Sequence, residues 1–266
     1  LEGGENEAMA RIKWKHLCKL YFAQKEHHID NFDYVAWRTN QIKESFLRDM
    51  ECDIETQMAS LNNFWVYPVN KGFTVDHLYS SLLDFHTLVP AATDSPFEAE
   101  GQYDLDLIIV DHLQYFELNG NEHEILQTTN ILRKLKEISD TFKVPVVLVS
   151  HLRKKAKDRG LPDQEDFYGS SNIVKIATTA ITLSADSNKT DFSDNLYPTF
   201  IRVVKSRIGI RPNYVMKINF DLTKREYERD YEMFFVKDGN VSKDPIQYNK
   251  WPQWAIKTHI EKEYKE

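Results

Sequence analysis

An aspartate closes an unusually apolar stretch of this chain. Leu107-Ile108-Ile109-Val110 runs straight into Asp111, and His112, Leu113 and Gln114 follow. Such a run fits a strand buried on both faces, as at the centre of a parallel sheet. A carboxylate at the carboxyl end of that strand stands where open α/β sheets receive ligands, and where NTPases hold the magnesium that accompanies nucleotide phosphates. An ordinary buried strand that happens to end in Asp explains the segment equally well, so other positions must separate the two. His151 is the first of these. It follows Val144-Pro-Val-Val-Leu-Val-Ser150, a second apolar run. Adjacent parallel strands bring their carboxyl ends side by side, so His151 is expected near Asp111, where a polar side chain can contact a γ-phosphate. A loop-entry histidine without a ligand is the plainer alternative.

Cations supply the next candidates. The segment His151–Gly160 contains Arg153, Lys154, Lys155, Lys157 and Arg159 against the single acid Asp158. On a protein of net charge −7 this is a concentrated positive stretch. It suits the phosphate backbone of a single strand, and equally a solvated charged loop. The overall acidity argues against a coat of basic residues for nucleic acid, but local charge governs binding. Lys205 and Arg207 flank Ser206 at the exit of a strand, and two residues apart in an extended chain they project to the same side. That pair suits an arginine finger reaching the phosphates of a neighbouring subunit, or is a surface hairpin with two basic residues. None of the nine glycines begins a Gly-Lys-Ser/Thr, so the 266 residues contain no phosphate-cradling GxxxxGK[ST] loop.

The elements that must position these residues follow from periodicity and breakers. Helices are predicted over 7–25, 31–60, 75–88 with Thr74 as cap, 122–142 and 170–177. Met9, Ile12, Leu17, Leu20 and Tyr21 mark the inner face of the first, and Ile125, Leu132, Leu135 and Ile138 that of the fourth. Strands are predicted at 63–69, 105–111, 144–150, 178–184, 199–205, 213–220 and 227–236. The order strand, helix, strand across 105–150 implies a parallel pair. Residues 89–103, with Pro90, Pro96 and Gly101, read as a loop or insertion. No apolar run is long enough for a membrane span, and the first residues lack the apolar core of a signal peptide. Two cysteines and nine histidines without an HExxH-like spacing give no zinc site, and a reducing, intracellular compartment is the default.

Taken together, five segments resemble the C-terminal ATPase domain of DnaB-type replicative DNA helicases, close to the phage and mitochondrial primase-helicases. Leu1-Glu2, with Arg11 downstream, resembles the segment that carries the catalytic base. Leu107–Gln114 resembles the Walker B strand with its D-x-L-Q ending. Val147–Arg153 resembles the γ-phosphate sensor motif, and Phe167-Tyr-Gly169-Ser170-Ser171-Asn172-Ile173 the segment near the DNA-binding loops. Lys205-Ser206-Arg207-Ile208-Gly209 resembles the K-x-R-x-G pair that acts in trans. The resemblance spans roughly residues 1–220 and implies an α/β, RecA-like three-layer core with a mainly parallel central sheet and an antiparallel C-terminal edge. It implies ATP and Mg²⁺ as cofactors. Asp111 would hold the metal, Asp111, Gln114, Lys205 and Arg207 would face the nucleotide, and Glu2, His151, Lys205 and Arg207 would assist the reaction. Arg153, Lys154, Lys155, Lys157, Arg159, Gly169 and Ser170 would face single-stranded DNA in a homo-hexameric ring, with a primase module or partner. The motor domain would cover 1–236, with insertions near 31–60 and 89–103, and 237–266 would be a C-terminal tail. Without the GxxxxGK[ST] loop these residues are expected to be inactive alone.

Two other readings share the core. One is a recombinase-like or clock-type ATPase. The other is a RecA-like module that binds nucleic acid without hydrolysing anything.

Overall fold

The computed structural model describes residues 4–24, 29, 32–60, 66–67, 69, 72–88, 105–117, 124–153, 160–167, 171–186, 195–210, 213–252 and 255. In chain order these form helices α1 (Gly4–Ala23), α2 (Tyr34–Arg38), α3 (Ser45–Ser60) and α4 (Val75–Leu88), then strand β1 (Ile108–Val110). Helix α5 (Glu124–Phe142), strand β2 (Val146–Leu148) and helix α6 (Ser171–Ile176) follow. The chain continues as strands β3 (Thr179–Ala185), β4 (Leu196–Ser206), β5 (Tyr214–Asp221), β6 (Glu226–Lys237) and β7 (Asn240–Val241). Two compact units are present. The first is built mainly from 65–154 and 164–177, the second from 9–64, 155–163 and 178–266.

In the first unit β1 and β2 pair in parallel, Ile108 opposite Val146 and Val110 opposite Leu148. This is the pair expected from the sequence, and α5 is the helix that joins its strands. Ile131, Leu132, Leu135, Ile138 and Phe142 recur at helical spacing along α5 and are buried with Ile108, Leu113, Val144 and Leu82. Thr74 caps α4 as predicted: its Oγ1 accepts from the His77 N–H at 3.3 Å, and its own N–H donates to His77 Nδ1 at 3.1 Å. The reciprocal pair satisfies two donors that the first helical turn leaves open.

Burial on both faces is not what β1 and β2 show. Ile109 is 61% exposed and Val147 47%, while Ile108 lies in the core. Side chains alternate along a strand, and the helices cover one side of the pair. An unbroken apolar run is compatible with either arrangement. Ile125, expected on the inner face of α5, is also exposed, and Gln127, Thr128 and Thr129 are buried instead. Thr129 manages this by donating its hydroxyl to Ile125 O at 2.7 Å.

The second unit carries a five-stranded antiparallel sheet in the order β3-β4-β5-β6-β7. The antiparallel part is thus the larger sheet among the described residues, and the parallel part is two strands. Leu161, Phe200, Val215, Phe234 and Val236 form one of its cores. The β6–β7 turn places Asp238 at φ 51° and Gly239 at φ 79°, the pair of positive values that a tight hairpin requires. The Leu161 N–H donates to Gly239 O at 2.7 Å, and a Cβ on Gly160 would lie 2.2 Å from that oxygen. Position 160 therefore excludes side chains.

The helical part of this unit gathers Trp14, Leu17, Cys18, Tyr21, Phe32, Leu47 and Ile54 into a second core. Trp14 is fully buried, packs on Phe32 at 4.7 Å, and donates its indole N–H to Thr223 O at 2.9 Å. Burial, followed by the charges of Asp221 and Glu226, pushes the Cys18 thiol up to about 12. The expected single helix over 31–60 is two helices. Thr39 ends α2 by donating its hydroxyl to Val35 O at 2.7 Å, and Asn40 turns the chain at φ 57°. Val66, Tyr67 and Val69 form no strand, and the rest of the predicted 63–69 strand lies outside the described residues, as does the 89–103 insertion. Beyond β7, Trp251 stacks on Tyr231 at 5.3 Å, so the described part of the tail packs on β6 of its own chain. Trp14→Ala should cost about 3–5 kcal/mol, because a large buried ring is lost and a carbonyl loses its donor. Urea unfolding followed by circular dichroism measures it, and a cost below about 1 kcal/mol would remove Trp14 from the centre of this core.

Candidate functional site

Three backbone bonds carry the parallel ladder past the ends of its strands. Ile108 N–H donates to Pro145 O at 3.0 Å, Val149 N–H to Val110 O at 2.9 Å, and Leu113 N–H to Val149 O at 2.9 Å. The last two bind the turn after β1 to the end of β2. They bring the exits of both strands together, as the sequence predicts for Asp111 and His151. Asp111 is half-buried there, and the Asp111–His112 peptide is cis. Gln114 belongs to a short 3-10 turn at Leu113–Tyr115 and is exposed.

His112 is the member of the site that the sequence reading passed over. It is buried, and its ring lies edge-on to His151 at 4.5 Å and against Tyr115 at 4.5 Å. Its Nδ1 accepts the Gln114 N–H at 3.2 Å, which fixes the ring while capping the turn. The available signal was its place between Asp111 and Gln114.

The basic segment leaves from an anchored base. Leu152 bridges antiparallel to Phe167, and Arg153 N–H donates to Asp166 O at 2.7 Å. The Arg153 side chain is exposed. Lys154, Lys155, Lys157, Arg159, Gly169, Ser170 and Glu2 lie outside the described residues.

Lys205 and Arg207 belong to the second unit. Lys205 lies near the end of β4 opposite Ala180, and Arg207 N–H donates to Thr178 O at 3.0 Å. Ser206 Oγ accepts from the N–H groups of Ile208 at 3.2 Å and Ile210 at 3.4 Å, which tightens the loop. Gly209 supplies φ 93° with no neighbouring atom that a Cβ would meet, so backbone conformation alone requires glycine there. The tip that results is exposed at Arg207 and Ile208. Burial, and then the neighbouring Arg207 cation, hold Lys205 below the usual lysine value.

Among the described residues no group of three or more His, Cys, Asp or Glu could cage a metal. A single half-buried carboxylate at a strand end still fits Mg²⁺ arriving with a nucleotide. That ion keeps several waters and takes one or two carboxylates plus phosphate oxygens. No helix of the described residues is long and apolar enough to cross a membrane.

Comparison with known proteins bears on the same segment. The model of the DnaB-like helicase C-terminal domain family matches residues 92–229. The replicative DNA helicase DnaB of Haemophilus influenzae is 28% identical over 137 residues, which covers 48% of this chain and 29% of that protein. A solved DnaB-like replicative helicase, described with its interactions with primase, superimposes with a TM-score of 0.64 at 16% identity, over 84% of this chain and 48% of that one. A second solved structure, described as an ATPase domain, gives the same TM-score and identity, over 84% of this chain and 70% of its own. These likenesses establish the RecA-like α/β fold. The chain spans under a third of the curated relative's length, and residues 1–91, Glu2 included, fall outside the family match. Asp111, His151, Lys205 and Arg207 all fall inside it, and with a match across more than half of its length the chain belongs to the DnaB-like helicase C-terminal domain family.

Proposed function

We propose that these residues are the motor portion of a replicative helicase, hydrolysing ATP at subunit interfaces to move along single-stranded DNA. The observation that carries the reading is the paired exit of β1 and β2, which sets Asp111 beside the His112–His151 contact within the family-matched segment. Magnesium bound with the nucleotide would neutralise charge on the β- and γ-phosphates, and Asp111, assisted by Gln114, would hold it. His151 would contact the γ-phosphate, with His112 setting its orientation. Lys205 and Arg207 would reach the phosphates of the neighbouring subunit and stabilise charge that develops during transfer. Glu2 would act as general base. Arg153, Lys154, Lys155, Lys157 and Arg159, with Gly169 and Ser170, would face the strand through its phosphates, so sequence preference should be slight.

The reading brings a hexameric ring, an intracellular setting and a primase module or partner. Its domain limits are 1–236 for the motor and 237–266 for the tail. The test uses the full-length protein with ATP, Mg²⁺ and a forked duplex. Hydrolysis stimulated by single-stranded DNA, together with unwinding of the fork, is the expected result. Strand exchange or autophosphorylation in place of unwinding would identify a different RecA-like ATPase. DNA binding without hydrolysis would identify a binding module. Either outcome overturns the proposal.

A further inference from the structure

The antiparallel sheet of the second unit is apolar on both faces. On one face Phe200, Val215, Phe234 and Val236 form a core with Leu161. The other face is read from the strand pairing. Ile181 and Leu183 of β3 lie opposite Val203 and Ile201 of β4, and Ile201 lies opposite Met216 of β5. Met216 and Ile218 in turn lie opposite Met233 and Tyr231 of β6. Residues paired directly across strands share a face, so these side chains make one apolar surface from β3 to β6. A sheet face left to water carries polar residues instead, and a large apolar surface marks a place where something docks.

Cover on this surface falls off from β6 to β3. At the β6 end Met233 is fully buried, and the chain beyond β7 folds back there. Ile246 N–H donates to Met233 O at 2.7 Å, and the Trp251 indole N–H donates to Ile246 O at 2.8 Å. Trp251 stacks on Tyr231, whose hydroxyl donates to Ala255 O at 3.3 Å. Ala255 is itself buried, so the chain is pinned over β6 as far as that residue. Across β4 and β5, Ile201, Val203, Met216 and Ile218 are half-buried. At the β3 end Ile181 is 48% exposed and Leu183 51%.

The sequence after Ala255 suits the uncovered part. Residues 256–266 lie outside the described residues, and their sequence sets Ile256, Ile260 and Tyr264 four residues apart. In a helix that spacing gathers the three on one side and turns Glu261, Lys262 and Lys265 to the other. At helical rise the segment reaches about 16 Å. From β6 to β3 the strand order β3-β4-β5-β6 leaves three inter-strand spacings, about 14 Å. The exposed end of the surface is thus within reach of a chain already fixed at the covered end, and the contact would continue the one that Trp251 and Ala255 begin.

We propose that residues 256–266 lie across this face as an amphipathic helix, with Ile260 and Tyr264 against Ile181, Leu183 and Val203. The tail then completes the packing of the sheet of its own chain. Methyl NMR on the 266-residue chain tests this directly. Cross-relaxation should connect the Ile260 methyls with those of Ile181, Leu183 or Val203, and its absence overturns the proposal. Two altered chains give the second measurement, one ending at Ala255 and one carrying Ile260→Asp. Both should shift the methyl resonances of Ile181, Leu183 and Val203. The methyls of Val215 and Val236, on the opposite face, should stay in place and show that each variant folds. Insensitivity of Ile181 and Leu183 to both changes also sinks the idea. Sedimentation separates the remaining occupant: if the 266-residue chain is a dimer and the same resonances move with its concentration, a second copy covers the face and the tail does not.

Discussion

Replacing Arg207 with alanine in the full-length protein should lower ATP turnover by about 10³-fold or more, the range in which arginine fingers act. The expectation rests on the loop that presents it. The Ser206 hydroxyl and the left-handed Gly209 shape an exposed tip just beyond β4, and Arg207 stands on it. Removing it leaves the strand, the loop and Lys205 in place. Lys205, relieved of an adjacent cation, should become easier to keep protonated, so lysine charge is not what would be lost. Subunit mixing gives the sharper measurement. If Arg207 acts on the neighbour's nucleotide, doping the variant into wild-type rings depresses turnover at sites that belong to intact subunits. A loss below about tenfold, or turnover restored in full to the wild-type subunits, would remove Arg207 from the site.

Asp111→Asn should cost about 10²–10³-fold in turnover, several kcal/mol of lost charge stabilisation. The substitution is nearly isosteric, so the turn after β1 should keep its bonds to Val149. What changes is a charge at the place where magnesium and phosphates would meet. The diagnostic is the magnesium dependence: half-maximal activity should move to higher Mg²⁺, while oligonucleotide affinity, which the proposed function assigns to the basic segment, should stay within about twofold. A variant with wild-type turnover and unchanged magnesium dependence would return Asp111 to an ordinary strand end.

The exits of β1 and β2 were legible because three signals agreed. Two apolar runs, a helix of the right length between them, and a polar residue after each leave little room for another topology. The cap at Thr74 was legible for the same local reason. The aromatic core around Trp14 was not. Its partners Phe32 and Trp37 come from beyond the helix, and the periodicity of α1 pointed to Leu20, which is exposed. The open side of β1 and β2 was invisible too, since Ile109 and Val147 are the residues that a covered strand would also use. His112 shows a different limit: its role depends on a ring from another strand, and nothing at position 112 announces position 151.

The bonds that join the two strand exits run through the backbone: Val149 to Val110 and Leu113 to Val149. Main-chain groups are the same at every residue except proline. The spacing between the two exits is therefore nearly independent of which side chains occupy 111, 112, 150 and 151. Selection acting on those four positions can change what is done to a bound ligand without reopening the question of how the strands pair. A frame of that kind can be inherited intact while its chemistry diversifies.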